Sequence, residues 1–251
     1  MRVIRKVCAA LFAVALVLLG SQAHANMQVT PLIIELGKTP GQSGAFSVRN
    51  TSTNEIPVSI SVVRREVGTD EPVELIPADA DFIIFPPQTV IGPQAIQSFR
   101  FQYVGDDTAN VSSSYYIYAS QLPVEFDEDK EFTGSFRARL NFLYEYGVSV
   151  NLIPDGAAPA LVVTNAARAT MDDGKPAVEL TIENQGNRFG RASEHELTIV
   201  TGSGTSEFNA GQLRAGLNNG MWLPGQSFEI KFPVEKRATG NISATFDYLG
   251  N

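Results

Sequence analysis

Short runs of alternating apolar and polar residues dominate the sequence, and almost no segment repeats with the period of a helix. Side chains of a β-strand point to opposite faces in turn, so this alternation predicts strands with one buried face. Gly, Pro, Asn or Asp bounds each run, as turns require. The runs of the first half are MQVTPLIIEL, GAFSVRN, PVSISVVRR, QSFRFQYVG and SSYYIYASQLP. The pattern favours an all-β fold.

The second half repeats the pattern after an interruption at residues 152–160, LIPDGAAPA. Its runs are ALVVTNAARA, AVELTIENQG, HELTIV, SFEIKFPV and NISATFDYLG. About seven short strands per hundred residues is typical of an immunoglobulin-like β-sandwich. Prolines and small residues at the interruption indicate a linker. We therefore predict two such domains, residues 26–153 and 154–251.

Residues 1–25 have the features of a bacterial-style secretory signal peptide. Arg2, Arg5 and Lys6 precede an apolar stretch at residues 7–20, and the small-residue motif AHA ends at Ala25. The apolar stretch is shorter than the roughly 20 residues needed to span a bilayer. We expect cleavage after Ala25 and a periplasmic location. The only cysteine, Cys8, is removed with this segment, so the remaining chain must fold without disulfides.

One alternating stripe, FRARLNFLYEYGVSV at residues 136–150, is longer than one small domain can cover. As a strand it would extend roughly 50 Å, whereas typical strands have about 5 to 6 residues. Its apolar side is formed by Phe136, Ala138, Leu140, Phe142, Tyr144, Tyr146, Val148 and Val150. The surplus apolar surface predicts that another molecule covers part of the stripe. The pattern alone also fits a long central strand of one sandwich.

The residues that most enzymes use are scarce. Beyond the signal peptide, His195 is the only histidine and no cysteine remains. Its segment ASEHELTIV has no nucleophile turn, so we expect a surface or turn histidine and no Ser-His-Asp triad. A zinc site with several His or Cys ligands cannot be built, and no glycine-rich phosphate loop precedes a helix. Carboxylate pairs are not excluded, but the spacing of the acids selects no two of them. We expect no catalysis, metal or cofactor.

The charge of the chain indicates the kind of partner. The formal net charge is −8, and removal of the three basic residues near the N-terminus makes the chain more acidic. An acidic body repels nucleic acid and anionic membranes. We therefore expect a protein partner, with no nucleic acid and no small-molecule substrate.

Several stretches, taken in order, resemble the periplasmic pilus-assembly chaperones of the chaperone/usher pathway. In the first half these are FSVRNTSTNEIPVSISV, DFIIFPPQTVIGPQAIQSFRF with its double proline, and YYIYASQLPVEF with its Leu-Pro pair. In the second half they are TIENQGNRF, WLPGQSFEIKFP and FDYLGN. The resemblance covers nearly all of residues 28–250.

The resemblance implies two immunoglobulin-like β-sandwich domains arranged in an L or boomerang shape. It also implies that the strand after the Leu-Pro pair is lent to a pilin or fimbrial subunit, whose sandwich lacks its last strand. Val148 and Val150 would serve the chain's own core. An outer-membrane usher is the second implied partner, and the exposed strand could also mediate self-association. The lent residues would be Phe136, Ala138, Leu140, Phe142 and Tyr144.

Two features of the family are missing at the matching positions. Pro31 and Ser149 stand where two basic residues would hold the subunit's C-terminal carboxylate. Three explanations compete. The alignment with the family is shifted by a residue or two, another arginine holds the carboxylate, or the chain is a divergent member with altered anchoring. Asp247 matches a family acid that contacts the other domain, although Ile153 replaces its usual arginine partner. The candidate arginines are Arg64, Arg65, Arg137 and Arg139.

Two other classes of protein share parts of the pattern. A secreted pilin-like or adhesive sandwich protein would carry an alternating extension before its first strand, whereas NMQVTPLIIEL enters that strand almost at once. A carbohydrate-active sandwich protein would gather exposed aromatic residues and a carboxylate pair. Trp222, the only tryptophan, lies at a predicted turn instead. We therefore favour a chaperone over both alternatives.

Overall fold

The computed structural model describes residues 26–68, 73–105, 109–123, 142–217 and 220–250. The predicted signal peptide and the N-terminal part of the long alternating stripe lie outside these residues. No helix in the described part of the chain is long and apolar enough to cross a membrane.

Ten strands of the first half form two facing sheets. One sheet has the order β1-β3-β8-β6, and the other has the order β2-β10-β9-β4-β5, with β7 also paired to β4. Neighbouring strands are antiparallel, except that β2 runs parallel to β10. The strands are β1 Met27–Thr30, β2 Ile33–Gly37, β3 Ser43–Asn50, β4 Ile56–Val67, β5 Val73–Pro77, β6 Phe82–Phe85, β7 Gln88–Ile91, β8 Ile96–Tyr103, β9 Ser113–Gln121 and β10 Glu145–Ile153.

The segment predicted as one first strand, MQVTPLIIEL, is divided between the two sheets. β1 pairs with β3 in the first sheet, and β2 pairs with β10 in the second. Pro31 lies between them and has no backbone N–H to donate, so the hydrogen-bond ladder of β1 cannot continue through it. The prediction of a single strand is therefore wrong, and the first segment contributes to both sheets.

Alternate residues of these strands fill the space between the two sheets, as the alternation predicts. On β9, Tyr115, Ile117 and Ala119 are fully buried. The rings of Phe46 and Phe99 stack across the first sheet with their centroids 5.3 Å apart. Burial of one large apolar side chain contributes about 1.5–3 kcal/mol, so these inward side chains stabilise the first sandwich.

The described part of the second half contains eight further strands and one short α-helix. Its sheets are β11-β12-β17 and β15-β14-β18, together with the short pair β13-β16. A second core forms between them, with Leu180, Ile182 and Ile199 fully buried. The elements are β11 Leu161–Thr170, β12 Pro176–Asn184, β13 Gly190–Arg191, β14 His195–Thr201, β15 Gly204–Phe208, α1 Ala210–Gly216, β16 Met221–Trp222, β17 Ser227–Pro233 and β18 Ser243–Tyr248.

The helix α1 was not expected from the sequence. It has seven residues, too few for a clear helical period, and its signal is local. The Asn209 side chain accepts a hydrogen bond from the Gln212 amide, and the Gln212 side chain accepts one from the Asn209 amide, both at 2.9 Å. This reciprocal capping box satisfies two N–H groups that a short helix otherwise leaves unpaired.

The predicted fold class, all-β with two immunoglobulin-like sandwiches, is confirmed. The first core includes residues from Met27 to Leu152, and the second includes residues from Leu161 to Ala238. The division at residues 153 and 154 remains a prediction.

Candidate functional site

Among the described residues, strand β10 is paired along only part of one of its two edges. β9 pairs with β10 from Glu145 to Leu152, whereas β2 pairs only with Ser149–Ile153. The Ser149 amide donates to the Leu32 carbonyl at 2.8 Å, so the odd-numbered backbone groups of β10 point toward β2. Backbone groups alternate in direction along a strand. Glu145 and Gly147 therefore direct N–H and C=O groups to a side where no strand lies within the described residues.

The apolar row of β10 emerges from the core at the same end. Val150 and Val148 are fully buried, which confirms that they serve the chain's own core. Tyr146 and Tyr144 are half-buried against that core, and Phe142 is 66% exposed. The neighbouring Leu143 is 50% exposed. The home sandwich thus covers this row progressively less toward Phe142.

In the described part of the predicted strand 136–150, only residues 145–150 belong to a strand, β10. Residues 142–144 are not in a strand, because β9 does not continue beside them. The pairing of β9 with β10 ends at Ser120, and the Leu122 amide donates to the Pro57 carbonyl instead. The Tyr144 carbonyl still accepts a hydrogen bond from Gln121 at 2.8 Å. Three of the residues predicted to be lent to the subunit lie outside the described residues: Phe136, Ala138 and Leu140. Phe142 and Tyr144 lie in the segment just ahead of β10, next to the part of its edge that β2 does not cover.

The positions expected to hold a carboxylate carry no charge. Pro31 is exposed, and Ser149 lies on the outer face of the sheet, where its hydroxyl accepts a hydrogen bond from the Asn151 side chain at 3.2 Å. Of the candidate arginines, Arg64 forms an ion pair with Glu66 on its own strand, and Arg65 lies over the Tyr116 ring. Arg137 and Arg139 lie outside the described residues. No arginine is assigned as the anchor.

Backbone contacts join the two sandwiches. The Ser112 amide donates to the Asn187 carbonyl at 2.8 Å, and the Ser112 hydroxyl accepts from the Phe189 amide at 3.0 Å. The Asn187 side chain also donates to the Asn110 carbonyl at 3.0 Å. Phe189 is fully buried. The loop ahead of β9 is thus held against the segment between β12 and β13.

An ion-pair cluster reinforces this interface. Arg191 of β13 pairs with Glu35 of β2 at 2.5 Å, and Arg188 lies 3.9 Å from the same carboxylate. Both guanidinium groups also pair with Glu194, at 3.2 and 3.3 Å, and both lie against the Phe189 ring. Two cations are thus balanced by two acids. Sequence analysis missed this cluster, because no local pattern indicates that residues so distant in the chain would meet.

Asp247 belongs to the second sandwich. It is exposed on β18, opposite Glu196 of β14, and its side chain makes no hydrogen bond or ion pair with the described residues. Its neighbour Tyr248 accepts a hydrogen bond from Arg188 at 2.8 Å. The predicted interdomain contact of Asp247 remains a prediction, and the ion pairs between the sandwiches involve Glu35.

His195 is buried, so the expectation of a surface or turn histidine is wrong. It begins β14, and its Nδ1 donates to the Arg191 carbonyl at 2.8 Å. Its Nε2 has no hydrogen-bond partner among the described residues. Burial lowers the pKa of the imidazole, with the Arg188 cation as a smaller cause. No group of three or more His, Cys, Asp or Glu in the described ranges could hold a metal ion.

The first sandwich matches a known protein family. Residues 26–145 match the model of the pili and flagellar-assembly chaperone family, PapD N-terminal domain. No curated protein matches the sequence at a significant level.

Solved structures match over most of the chain. A chain of a chaperone–tip adhesin complex from CFA/I fimbriae biogenesis has a TM-score of 0.54 and 16% identity, with 90% of this chain and 94% of that one covered. The class 5 fimbriae chaperone CfaA has a TM-score of 0.53 and 13% identity, with 90% and 100% covered. A chain of the CsuC–CsuE pre-assembly complex of Acinetobacter baumannii has a TM-score of 0.52 and 16% identity, with 90% and 95% covered.

At these identities the structural likeness shows the fold alone, and the family match adds the kind of protein. Residues 26–145 therefore form an N-terminal domain of the pili and flagellar-assembly chaperone family, and the chain as a whole shares the two-domain fold of fimbrial chaperones.

Proposed function

We propose that this protein is a chaperone that acts in the periplasm, completes pilus subunits by lending them residues 136–146 as a strand, and delivers them to an outer-membrane usher. The observation that carries the proposal is the apolar row that runs from β10 into the segment ahead of it, from full burial at Val148 to 66% exposure at Phe142. The backbone groups of Glu145 and Gly147 that no strand of the described residues pairs with support it, because an added strand needs such groups for its hydrogen bonds.

The proposed lent residues are Phe136, Ala138, Leu140, Phe142 and Tyr144, in continuation of this row. Burying three or four large apolar side chains would contribute about 5–12 kcal/mol before ordering costs are subtracted. This amount is comparable with the whole stability of a domain. A subunit held in this way would be protected from aggregation and would leave only when another strand replaced the lent one.

The proposal includes the division of the chain into domains 26–153 and 154–251, and it assigns no catalytic role. The separate cores on either side of this division support the boundaries. Two of the similar solved structures are complexes of a chaperone with a tip adhesin or adhesion subunit, which supports a fimbrial subunit as the partner.

The test is capture of subunits in the native periplasm. The tagged chaperone is purified from periplasmic extract, and the proteins that accompany it are identified by mass spectrometry. The variant combining Leu140→Arg with Phe142→Arg places two charges in the proposed lent row. The variant Ile83→Arg is the matched control, because Ile83 is 61% exposed on β6 of the other sheet.

We expect fimbrial subunits to accompany the parent protein and the control, and to be absent from the double variant while its circular dichroism spectrum stays unchanged. Retention of the subunits by a folded double variant would refute the assignment of the lent strand.

A further inference from the structure

Two tyrosines form a shelf on the outer face of the sheet beside the free edge of β10. Tyr116 and Tyr118 of β9 point away from the core, because they alternate with the buried Tyr115 and Ile117. Their ring centroids are 5.8 Å apart, and the ring planes are inclined by 39°. We call this pair the tyrosine shelf. Neither the family match nor the lent row explains why two large rings lie on this face.

Gly147 allows the shelf to extend over β10. It lies opposite Tyr118 in the register of β9 and β10. A Cβ atom at this position would be 3.1 Å from Cε1 of Tyr118 and 3.3 Å from Cδ1 of Tyr116. Both rings therefore occupy space that a side chain on β10 would need. The shelf reaches toward the side of β10 that β2 leaves uncovered.

An added strand would place a side chain directly beside the shelf. Adjacent strands lie about 4.8 Å apart, and opposed residues point their side chains to the same face of the sheet. The N–H and C=O groups of Gly147 point to the uncovered side, where a partner residue could pair with it. Tyr118 lies opposite Gly147 and points outward, so this partner residue would also face outward. Gly147 has no side chain to fill that space. The partner side chain would therefore contact the Tyr118 ring.

From this arrangement we infer that the tyrosine shelf is a specificity site that selects a large apolar side chain, aromatic or branched aliphatic, at the outward position of the partner strand opposite Gly147. This inference rests on the proposed function and adds a second recognition surface to it. The lent row fills the partner's interior, whereas the shelf recognises a residue on the opposite face of the partner's own strand.

The surroundings favour an apolar side chain over a charged one. Arg65 lies over the Tyr116 ring, with its guanidinium carbon 5.0 Å from the ring centroid. Arg65 belongs to β4, which pairs with β9 on the side away from β10. Glu145, the acid nearest along the edge, is held by the Ser120 hydroxyl at 2.6 Å. A partner side chain opposite Gly147 would thus meet the surface of the aromatic rings. Aromatic side chains that pack across a glycine on a neighbouring strand stabilise strand pairs.

A tethering experiment can test the shelf because the chain beyond the signal peptide has no cysteine. The variant Glu145→Cys places one thiol two residues from Gly147 on the same face. It is equilibrated in a redox buffer of reduced and oxidised glutathione, the oxidised form being the electron acceptor, with the peptide KVXVCVXVK, in which X is either Phe or Ala. Because X lies on both sides of the cysteine, one copy faces Gly147 whichever way the peptide runs. Mass spectrometry measures the fraction of mixed disulfide.

We expect the Phe peptide to give about two- to five-fold more mixed disulfide than the Ala peptide, as cross-strand aromatic pairs do. The preference should vanish when Tyr118→Ala is added and persist with Tyr118→Phe, because the ring and not the hydroxyl makes the contact. Adding Gly147→Ala should reduce it, since the new Cβ would displace the rings.

A control peptide with proline in place of the valines beside its cysteine cannot pair as a strand. Equal yields from the Phe and Ala peptides, both above the proline peptide, would overturn the shelf and leave the lent strand intact. A proline peptide that tethers as well as the others would show that the edge accepts no strand, and both proposals would fail.

Discussion

Replacing Glu35 by glutamine would remove one of the two acids that balance Arg188 and Arg191 at the interface between the sandwiches. The side chains of Arg188, Arg191 and Glu194 are 9%, 13% and 12% exposed, and that of Glu35 is 34% exposed. Unit charges about 4 Å apart near a protein surface interact with about 4 kcal/mol. Water around Glu35 screens part of this energy, and Glu194 shares both cations. We expect a coupling free energy of about 1–2 kcal/mol between Glu35 and Arg191.

A double-mutant cycle measures this coupling directly. Glu35→Gln, Arg191→Gln and their combination are compared with the parent by urea unfolding, and the non-additive part of the free energy of unfolding is the coupling. The matched control is the pair Glu179 and Lys231, 4.0 Å apart with side chains 39% and 43% exposed. Its coupling should stay below about 0.5 kcal/mol. Equal couplings for the two pairs would refute the conclusion that the interface cluster is energetically distinct from surface ion pairs.

Three further outcomes follow from residues of the second sandwich. His195 stabilises the fold in its neutral form, because burial lowers its pKa; this contribution is complete above the ordinary pKa of about 6.5 and is lost as the pH falls below it toward the lowered folded value. Urea unfolding between pH 7.5 and 5 should therefore show a smaller loss of stability in His195→Gln than in the parent, and an equal loss would contradict this cause. Asn184→Ala removes donors to the carbonyls of Arg188 and Trp222 and an acceptor for the amides of Ala160 and Gly186, so thermal unfolding should report a loss of about 3 kcal/mol. Gly186→Ala would place a Cβ 2.4 Å from the Ala158 carbonyl oxygen and should cost about 2–3 kcal/mol, whereas Gly216→Ala, with no atom within 4 Å, should be close to neutral; similar effects of the two would reject the steric argument.

The strands of the cores were predictable because burial imposes a local rule on them. In QSFRFQYVG the alternation identifies Phe99, Phe101 and Tyr103 as inward residues, and each is at most 2% exposed. The same rule identified Val148 and Val150 as core residues. Period-two alternation can be seen in one short segment, so no knowledge of the rest of the fold is needed.

Features that depend on distant partners were not predictable in this way. Glu35 alternates with apolar neighbours as any outward strand residue would, and only the complete fold brings Arg188 and Arg191 to it. His195 is buried because Tyr248 and Phe246 of β18 pack beside it. The acidic residues next to it in the sequence indicated an exposed position instead. The change of sheet at Pro31 required knowing that β10 leaves room for β2.

The position of β2 limits how far a partner can extend along β10. The Leu32 carbonyl already accepts the Ser149 amide, so the hydrogen-bonding positions from Ser149 onward are filled within the chain. Any incoming backbone must therefore end its pairing at Gly147, unless β2 leaves its place. The point near Pro31 at which the chain passes between the sheets thus determines the register of a bound partner strand. Moving that point along the chain would move the position at which the partner strand ends its pairing with β10.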